Sequence, residues 1–450
     1  MLTTSFDSRL YASLYGTEQM KHVWSDSQVV QSWLDTEVAL AEVQAEMGLI
    51  PIEALTAIRE HATLDVLDWE LMASRTREVG MAIKPMVEQI TARGGELVQR
   101  YFHWGATTQD ILDTGQALRL KKSLELIEGS LKSLLQSLVE LAQEHQLTPM
   151  VARTNSQDAA PTSFGLHVSG YAAEMVRHLK RLDEMRPRAC MGMLGGAVGH
   201  LAAQGAVGLE LRDKFIQKLG LSKPAGVWNG SQDGVAEFLN WTGLVHGSLS
   251  RMANDVETMG RTAVGELEEG EGSGESSTMP HKTNPRAANM IQTYARLGRM
   301  YCGASFDLMD QVDVRSAAMR ATAWTVVPEA ALVMSASLER AGRLVKHLVV
   351  KKERMLRNFC DSKNFVMSEA VMMRLAEEIG RDKAYALIKS VLQGQEASEK
   401  SLTEILLASP PVLEHLSEEE IREACEPKNY LGASTELVGE VVSSAQKFLP

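Results

Sequence analysis

Between Leu112 and Gln146 apolar residues return every three or four positions: Leu120, Leu124, Ile127, Leu131, Leu134, Leu138 and Leu141. Lys121, Lys122, Lys132, Glu140 and Glu144 fall on other faces. This spacing lays one apolar stripe along an amphipathic helix that runs ~50 Å at a rise of about 1.5 Å per residue. Thr148-Pro149 stops it, because proline disfavours helical backbone in the residue before it. The same period predicts helices through Ser163–Met185, Gly234–Leu267, Pro285–Leu308 and Val327–Leu348. Helices this long do not curl around a small core; they pack side by side as a bundle. Gly115 and Gly129 each cost the first helix ~1 kcal/mol relative to alanine. They are read as places where another backbone approaches closely.

Proline placement agrees. Only 13 prolines occur, and the stretches 85–149, 224–280 and 328–410 hold none between their end residues. Proline is poorly tolerated inside a helix, and strong helix formers abound while aromatic residues reach only 5%. The reading is an all-α protein of three helical domains. Residues 1–111 carry shorter helices, including Val29–Met47, which Gly48-Leu-Ile-Pro51 ends. Residues 112–360 hold the long-helix central bundle. Residues 361–450 form a C-terminal helical domain with breaks at Ser409-Pro-Pro411 and Glu426-Pro427.

Composition narrows the function classes. The chain has 450 residues, with 46 Lys+Arg against 58 Asp+Glu and a formal net charge of −12. Such a charge gives no grip on nucleic acid or an anionic membrane. With 44% hydrophobic and 23% charged residues, wholesale disorder is excluded. Cys190, Cys302, Cys360 and Cys425 are far apart, without the paired spacing of a zinc site or a disulfide framework. The first residues lack the apolar core of a signal peptide, and no apolar run reaches the ~18 residues of a membrane span. The expectation is a soluble cytoplasmic protein with neither nucleic-acid nor membrane partners.

One segment departs from the bundle pattern. Residues 265–285, Gly-Glu-Leu-Glu-Glu-Gly-Glu-Gly-Ser-Gly-Glu-Ser-Ser-Thr-Met-Pro-His-Lys-Thr-Asn-Pro, are rich in glycine and have no apolar period. A long structureless loop in a compact domain is more often functional or disordered than a mere connector, with a solvated acidic linker as the competing reading. Ser276, Ser277, Lys282 and Asn284 concentrate hydroxyls, a cation and an amide within it. Asn284-Pro285 then opens a helical run, with Asn suited to the N-cap and Pro to the first turn. A helix N-terminus beside a lysine suits a developing negative charge.

Glu275-Ser-Ser-Thr-Met-Pro-His-Lys-Thr-Asn-Pro285 resembles the signature of the aspartase/fumarase superfamily, GSSxMPxKxNP, with Glu275 in place of the first glycine. His103-Trp-Gly-Ala-Thr-Thr-Gln-Asp-Ile-Leu-Asp-Thr114 is similar to the first block of that family, usually T-S-x-D. Arg153-Thr-Asn-Ser-Gln157 resembles the second, usually R-T-H-x-Q, and Leu194–Gly199 resembles a further family turn. Val23-Trp-Ser-Asp26, the run Glu37–Pro51 and Asn429-Tyr-Leu-Gly432 look like the adenylosuccinate lyase and 3-carboxymuconate cycloisomerase branch. The resemblance spans nearly the whole chain.

It implies homotetramers whose central bundles join into a twenty-helix core, with active sites shared between subunits. It also implies a small di- or tricarboxylate substrate and no metal or organic cofactor. Members remove a proton beside a carboxylate, pass through an aci-carboxylate intermediate and expel an amine or alkoxide; cycloisomerases run the related lactone closure. By motif position Ser276 is the catalytic base, with Lys282 and Asn284 beside it. Thr107, Thr108, Arg153, Thr154, Asn155, Ser277 and Met279 fall in the substrate-binding segments. Arg315-Ser316 aligns with a substrate-binding pair, with a surface ion pair as the competing reading of Arg315. Gln232 stands where relatives often carry arginine. His103 is read either as a substrate contact or as a structural hydrogen bond, and His281 as a solvent-exposed residue.

Three departures bear on the chemistry. Asn155 stands where the second block usually has its general-acid histidine, and an amide does not transfer protons at neutral pH. Glu78 stands where adenylosuccinate lyases carry a second histidine, and Asn289 replaces a glutamate that often follows the signature. The pattern is nearest to 3-carboxymuconate cycloisomerase. A C–N lyase releasing fumarate from an N-substituted aspartate is the alternative, and a catalytically silent helical oligomer is the second alternative.

Overall fold

The computed structural model describes residues 4–226, 229–271, 274–395 and 399–449. Its long helices are α1 (Asp26–Glu46), α2 (Thr108–Glu144), α3 (Phe164–Ala189), α4 (Asp233–Met259), α5 (Arg286–Met309) and α6 (Ala317–Lys346), followed by a shorter α7 (Lys352–Asp361). Strands are few and short: β1 (Pro149–Thr154) pairs with β2 (Gln157–Ser163), β3 (Leu267–Glu268) with β6 (Val349–Val350), and β4 (Gly274–Glu275) with β5 (Thr283–Asn284), all antiparallel. The fold is helical, as the periodicity predicts. Leu120, Leu124, Ile127, Leu131, Leu134 and Leu138 of α2 are each at most 1% exposed.

Several boundaries differ from the expectation. α4 ends at Met259 rather than Leu267, where the Gly260 amide closes the last turn onto the Val256 carbonyl at 2.9 Å. α6 begins ten residues before Val327 and carries Pro328 inside it, and Pro187 lies inside α3. A proline leaves the carbonyl four residues earlier without its helical donor. Here those residues, Asp183 and Trp324, are exposed, so water can serve them. The breaks at Ser409-Pro-Pro411 and Glu426-Pro427 fall as read, between Leu402–Leu407 and Pro410–Leu413 and after Glu418–Ala424. The prolines there open the next short helices, since the first turn needs no amide donor. Gly48 ends α1 as read: at φ +70° it donates to Ala45, and the Leu49 amide donates to Gln44, a Schellman closure.

Of the two helix glycines, Gly115 fits the close-packing reading and Gly129 does not. A Cβ on Gly115 would lie 2.6 Å from the Trp33 ring, whereas one on Gly129 would meet nothing within 4 Å.

The chain forms two compact units. The first comprises Met1–Ser130, His178–Gly247 and Thr293–Glu339; the second comprises Leu131–Arg177, Ser248–Gln292 and Arg340–Pro450. One apolar core of the first unit gathers Leu34, Ile58, Met86, Ile90 and Ile111, and another gathers Leu40, Leu211, Phe215 and Ile216. In the second unit Val151 of β1 packs with Phe359, Met367, Leu375, Leu406 and Ile421. Among the described residues α6 alone is long and apolar enough to cross a membrane, and 56% of its most apolar window is buried inside the protein.

Candidate active site

In the first unit the segment His103–Thr108 is bent and pinned at several points. His103 has φ +61° and Gly105 φ +71°, and a Cβ on Gly105 would lie 2.0 Å from Gln204 Nε2. The positive φ favours glycine there, and any side chain would have to displace the Gln204 amide. The intervening Trp104 carbonyl accepts from Gln44 Nε2 at 2.8 Å and from Gln204 Nε2 at 3.3 Å. Asp110, fully buried, holds the end of the segment. Its carboxylate accepts from the amides of Thr107 (2.9 Å), Gly195 (2.8 Å) and Gly196 (3.1 Å). The first family block and the 194–199 turn are therefore locked together by one side chain. Burial pushes Asp110 up to about 6 against the pull of those three amides.

Thr107 and Arg315 meet. Arg315 Nη1 donates to Thr107 Oγ1 at 3.4 Å and to Gln109 Oε1 at 3.3 Å. Arg320 Nη2 donates to the same Gln109 oxygen at 2.8 Å, while Gln109 Nε2 donates to Asp113 Oδ2 at 2.8 Å and to the Asn229 carbonyl at 2.6 Å. Burial raises Asp113 to about 6, opposed by Gln109 and the two guanidinium groups. The competing reading of Arg315 as a surface ion pair does not describe this setting, because its nearest partners are a hydroxyl and an amide. Gln109, Asp113 and Arg320 were not singled out from the sequence, although the first two lie inside the quoted block. Thr108 begins α2, and the Ser316 amide donates to Gln311 Oε1 at 2.9 Å. Gln232 lies apart from this cluster in role. Its carbonyl starts α4 by accepting from Ala236, and it lines a cavity of about 20 Å³ with Asp113 and Arg188, room for about one water.

His103 has a second feature. Its Nδ1 lies 2.5 Å from Oε1 of Glu37, a residue of α1 that is 1% exposed. Burial disfavours the imidazolium, but the charge and hydrogen bond of Glu37, helped by Asp110, hold its pKa above the ordinary histidine value.

In the second unit β1 and β2 form a hairpin whose two-residue turn is Asn155-Ser156, with φ +50° and +65°. Two successive positive φ values are the signature of a type I′ turn. Asn155 and its neighbour Thr154 are exposed at the tip. Arg153, by contrast, faces inward. Its Nη1 and Nη2 donate to Glu266 at 2.7 and 2.8 Å, and Nε donates to Asp158 at 3.2 Å. Glu266 is fully buried and also accepts from Asn358 Nδ2 at 2.6 Å. The guanidinium is thus directed at two carboxylates of its own unit rather than presented to a ligand.

The 265–285 loop is partly ordered by the β4–β5 ladder; Gly272 and Ser273 lie outside the described residues. Ser276 is half-exposed, and its Oγ accepts from the amides of Thr278 (3.3 Å) and Met279 (3.0 Å). Ser277 and Met279 are exposed beside it. Lys282 and Asn284, with His281 and Arg261, line a cleft of about 770 Å³. One expectation is corrected here. The N-terminus of α5 does not await a substrate anion, nor does Asn284 cap it. Glu269, 4% exposed, accepts from the amides of Ala287 (2.9 Å) and Ala288 (2.8 Å). An internal carboxylate reaching across the loop already satisfies the helix end.

Chemically, two amides aimed at one serine oxygen favour its alkoxide, the form able to take a proton from carbon. Lys282 and Arg261 of the nearby cleft are suited to carboxylate binding, although Glu257, Glu268 and Glu269 line it as well.

The family model described as "Lyase" matches residues 15–297, and that described as "Adenylosuccinate lyase C-terminus" matches residues 364–441. The chain is 34% identical to trans-aconitate decarboxylase 1 of Mycosarcoma maydis, over 96% of this chain and 88% of that one. It is 34% identical to adenylosuccinate lyase of Methanocaldococcus jannaschii, over 96% and 94%. It superposes on the 3-carboxy-cis,cis-muconate lactonizing enzyme from Pseudomonas putida with a TM-score of 0.92 at 33% identity, covering 98% and 100% of the two chains.

Proposed function

Because this chain belongs to the aspartase/fumarase superfamily of lyases, we propose that it abstracts a proton beside a carboxylate of a small di- or tricarboxylate, with Ser276 as the base. The observation that carries this reading is the pair of amide donors on Ser276 Oγ. Loss of that proton puts a second negative charge on the neighbouring carboxylate, so fixed donors matter as much as the base. Lys282 and Asn284 supply two of them from the cleft, and Thr107, Thr108, Thr154 and Asn155 are the further donors of the matched segments. Ser277, Met279, Arg315 and Ser316 complete the proposed contacts. Arg153 is assigned to positioning, through Glu266. The reaction nearest to this constellation is cycloisomerisation of a 3-carboxymuconate, run in the reverse sense. A carboxylate adds to the C=C bond, and the carbanion beside the other carboxylate takes its proton from the Ser276 hydroxyl, which water then reprotonates. No acid is needed at position 155. A second reading, C–N elimination releasing fumarate, is favoured by the raised His103, which is a proton donor outside the second block. Following 3-carboxy-cis,cis-muconate consumption and fumarate release from adenylosuccinate side by side separates the two; no change in either rejects both.

Asn155 gives a sharper test. Its backbone needs a residue tolerant of positive φ, so alanine would mix strain with loss of the amide. Asn155→Gly keeps the turn. We expect it to lower kcat/KM on the true substrate by ~5–150-fold, the equivalent of ~1–3 kcal/mol for a lost polar partner, with an unchanged melting temperature. Unchanged kinetics assign Asn155 to the turn alone.

The proposed assembly is a homotetramer with shared active sites. Leu244, Met300, Phe306 and Met309 of the first unit are 54%, 67%, 66% and 50% exposed, more large apolar surface than a lone chain usually leaves in water. Multi-angle light scattering is expected to give the mass of four chains; an active monomer rejects it.

A further inference from the structure

The Glu37–His103 pair is built as a proton donor is built. Glu37 sits in the first unit's core on α1, and His103 Nδ1 at 2.5 Å is its partner among the described residues; the other carboxylate oxygen is buried without one. A buried carboxylate needs a countercharge, and the imidazolium supplies it. With Nδ1 held by the carboxylate, Nε2 carries the transferable proton. The imidazole keeps 20% of its surface open, a path for exchange with solvent. Its backbone is held at φ +61°, an uncommon state for a side-chain-bearing residue, and the Trp104 carbonyl next to it is gripped by two glutamines. Strain kept in place by surrounding bonds marks positions where orientation matters. Four residues along, Thr107 meets Arg315. The second block, meanwhile, offers only an amide at Asn155.

We propose that His103, oriented by Glu37, is the general acid that protonates the leaving group; this rests on the elimination reading above. Ser276 takes the proton from carbon, and that electron pair forms the new C=C bond. The C–X bonding pair leaves with X, and Nε2–H of the imidazolium gives X its proton. The neutral imidazole regains a proton from water, and the Ser276 hydroxyl gives up its captured proton to the hydroxide so formed, which restores both groups. Glu37 is a positioning residue, touching no reacting atom.

The groups facing His103 are Glu37 from α1 and Asp110 from α2, both acidic. The test is carbethoxylation by diethyl pyrocarbonate across pH, read by mass spectrometry on the His103 peptide, since only neutral imidazole reacts. In the wild-type protein half-reaction is expected above the ordinary ~6.5, and in Glu37→Gln below the wild-type midpoint, as removal of an adjacent opposite charge requires. In parallel, His103→Asn, chosen because asparagine accepts positive φ, is expected to lower kcat on adenylosuccinate ~100-fold or more with KM within about threefold, and to abolish the alkaline limb of the pH profile. That limb is expected to follow the peptide midpoint downward in Glu37→Gln. A wild-type midpoint at or below the ordinary value overturns the proposal. So does a midpoint that ignores Glu37→Gln, or a His103→Asn effect confined to KM. If neither adenylosuccinate nor 3-carboxy-cis,cis-muconate turns over, the functional reading fails, while the wild-type modification profile still decides the pair.

Discussion

Ser276→Ala is expected to reduce turnover by at least ~10³-fold, the scale of losing a positioned base, while the protein keeps its circular dichroism and melting temperature. The hydroxyl lies half-exposed on a loop, and the two amides it releases are at an exposed turn where water can take its place. Exposed changes of this kind usually move stability by less than about 0.5 kcal/mol. Substrate should still bind, because the cleft residues Lys282 and Asn284 are untouched. The measurement is a steady-state rate beside an equilibrium binding titration. A variant that retains near-wild-type kcat would exclude Ser276 as the base.

Arg153→Ala is expected to act on the fold instead. It leaves Glu266, fully buried, as a charge with Asn358 as its remaining side-chain donor among the described residues. Removing one partner of a buried ion pair costs ~3–5 kcal/mol. Glu266→Gln should cost less than this, because the stranded guanidinium is 23% exposed and can turn to water. Denaturant unfolding of the two variants tests the asymmetry. If Arg153 instead bound substrate, KM would rise in Arg153→Ala with the unfolding midpoint unchanged, and that result would falsify the positioning assignment.

The helices were legible because their signal is local and repeated. The period through α2 placed a helix at Leu112–Gln146, and it runs Thr108–Glu144. The β1–β2 hairpin was missed, since its turn is Asn-Ser rather than a pair containing glycine, and the strands are only half-buried. Pro187 and Pro328 misled where exposed neighbours let water replace a lost donor. For the candidate site, the signature motif singled out Ser276, Lys282 and Asn284, which lie close together in the chain. The partners that tune it were not visible. Glu269 caps amides 18 and 19 residues away, and Glu37 meets His103 across 66 residues. Nothing in the local pattern of either carboxylate distinguishes it from a solvated surface charge. Asp110 and Gln109 sat inside a quoted block, yet only folding reveals which of their neighbours they hold.

The positive φ at position 155 has a consequence for how such a protein changes over generations. A left-handed turn residue admits a short roster of side chains, with glycine, asparagine, aspartate and histidine foremost. Histidine is the residue that the resemblance places there, and its codons become those of asparagine by a single base change. An acid and an amide are therefore neighbours both in the genetic code and in the backbone geometry this hairpin enforces. A lineage can exchange one for the other without disturbing the turn, so the side chain at this tip is free to change while the scaffold stays still.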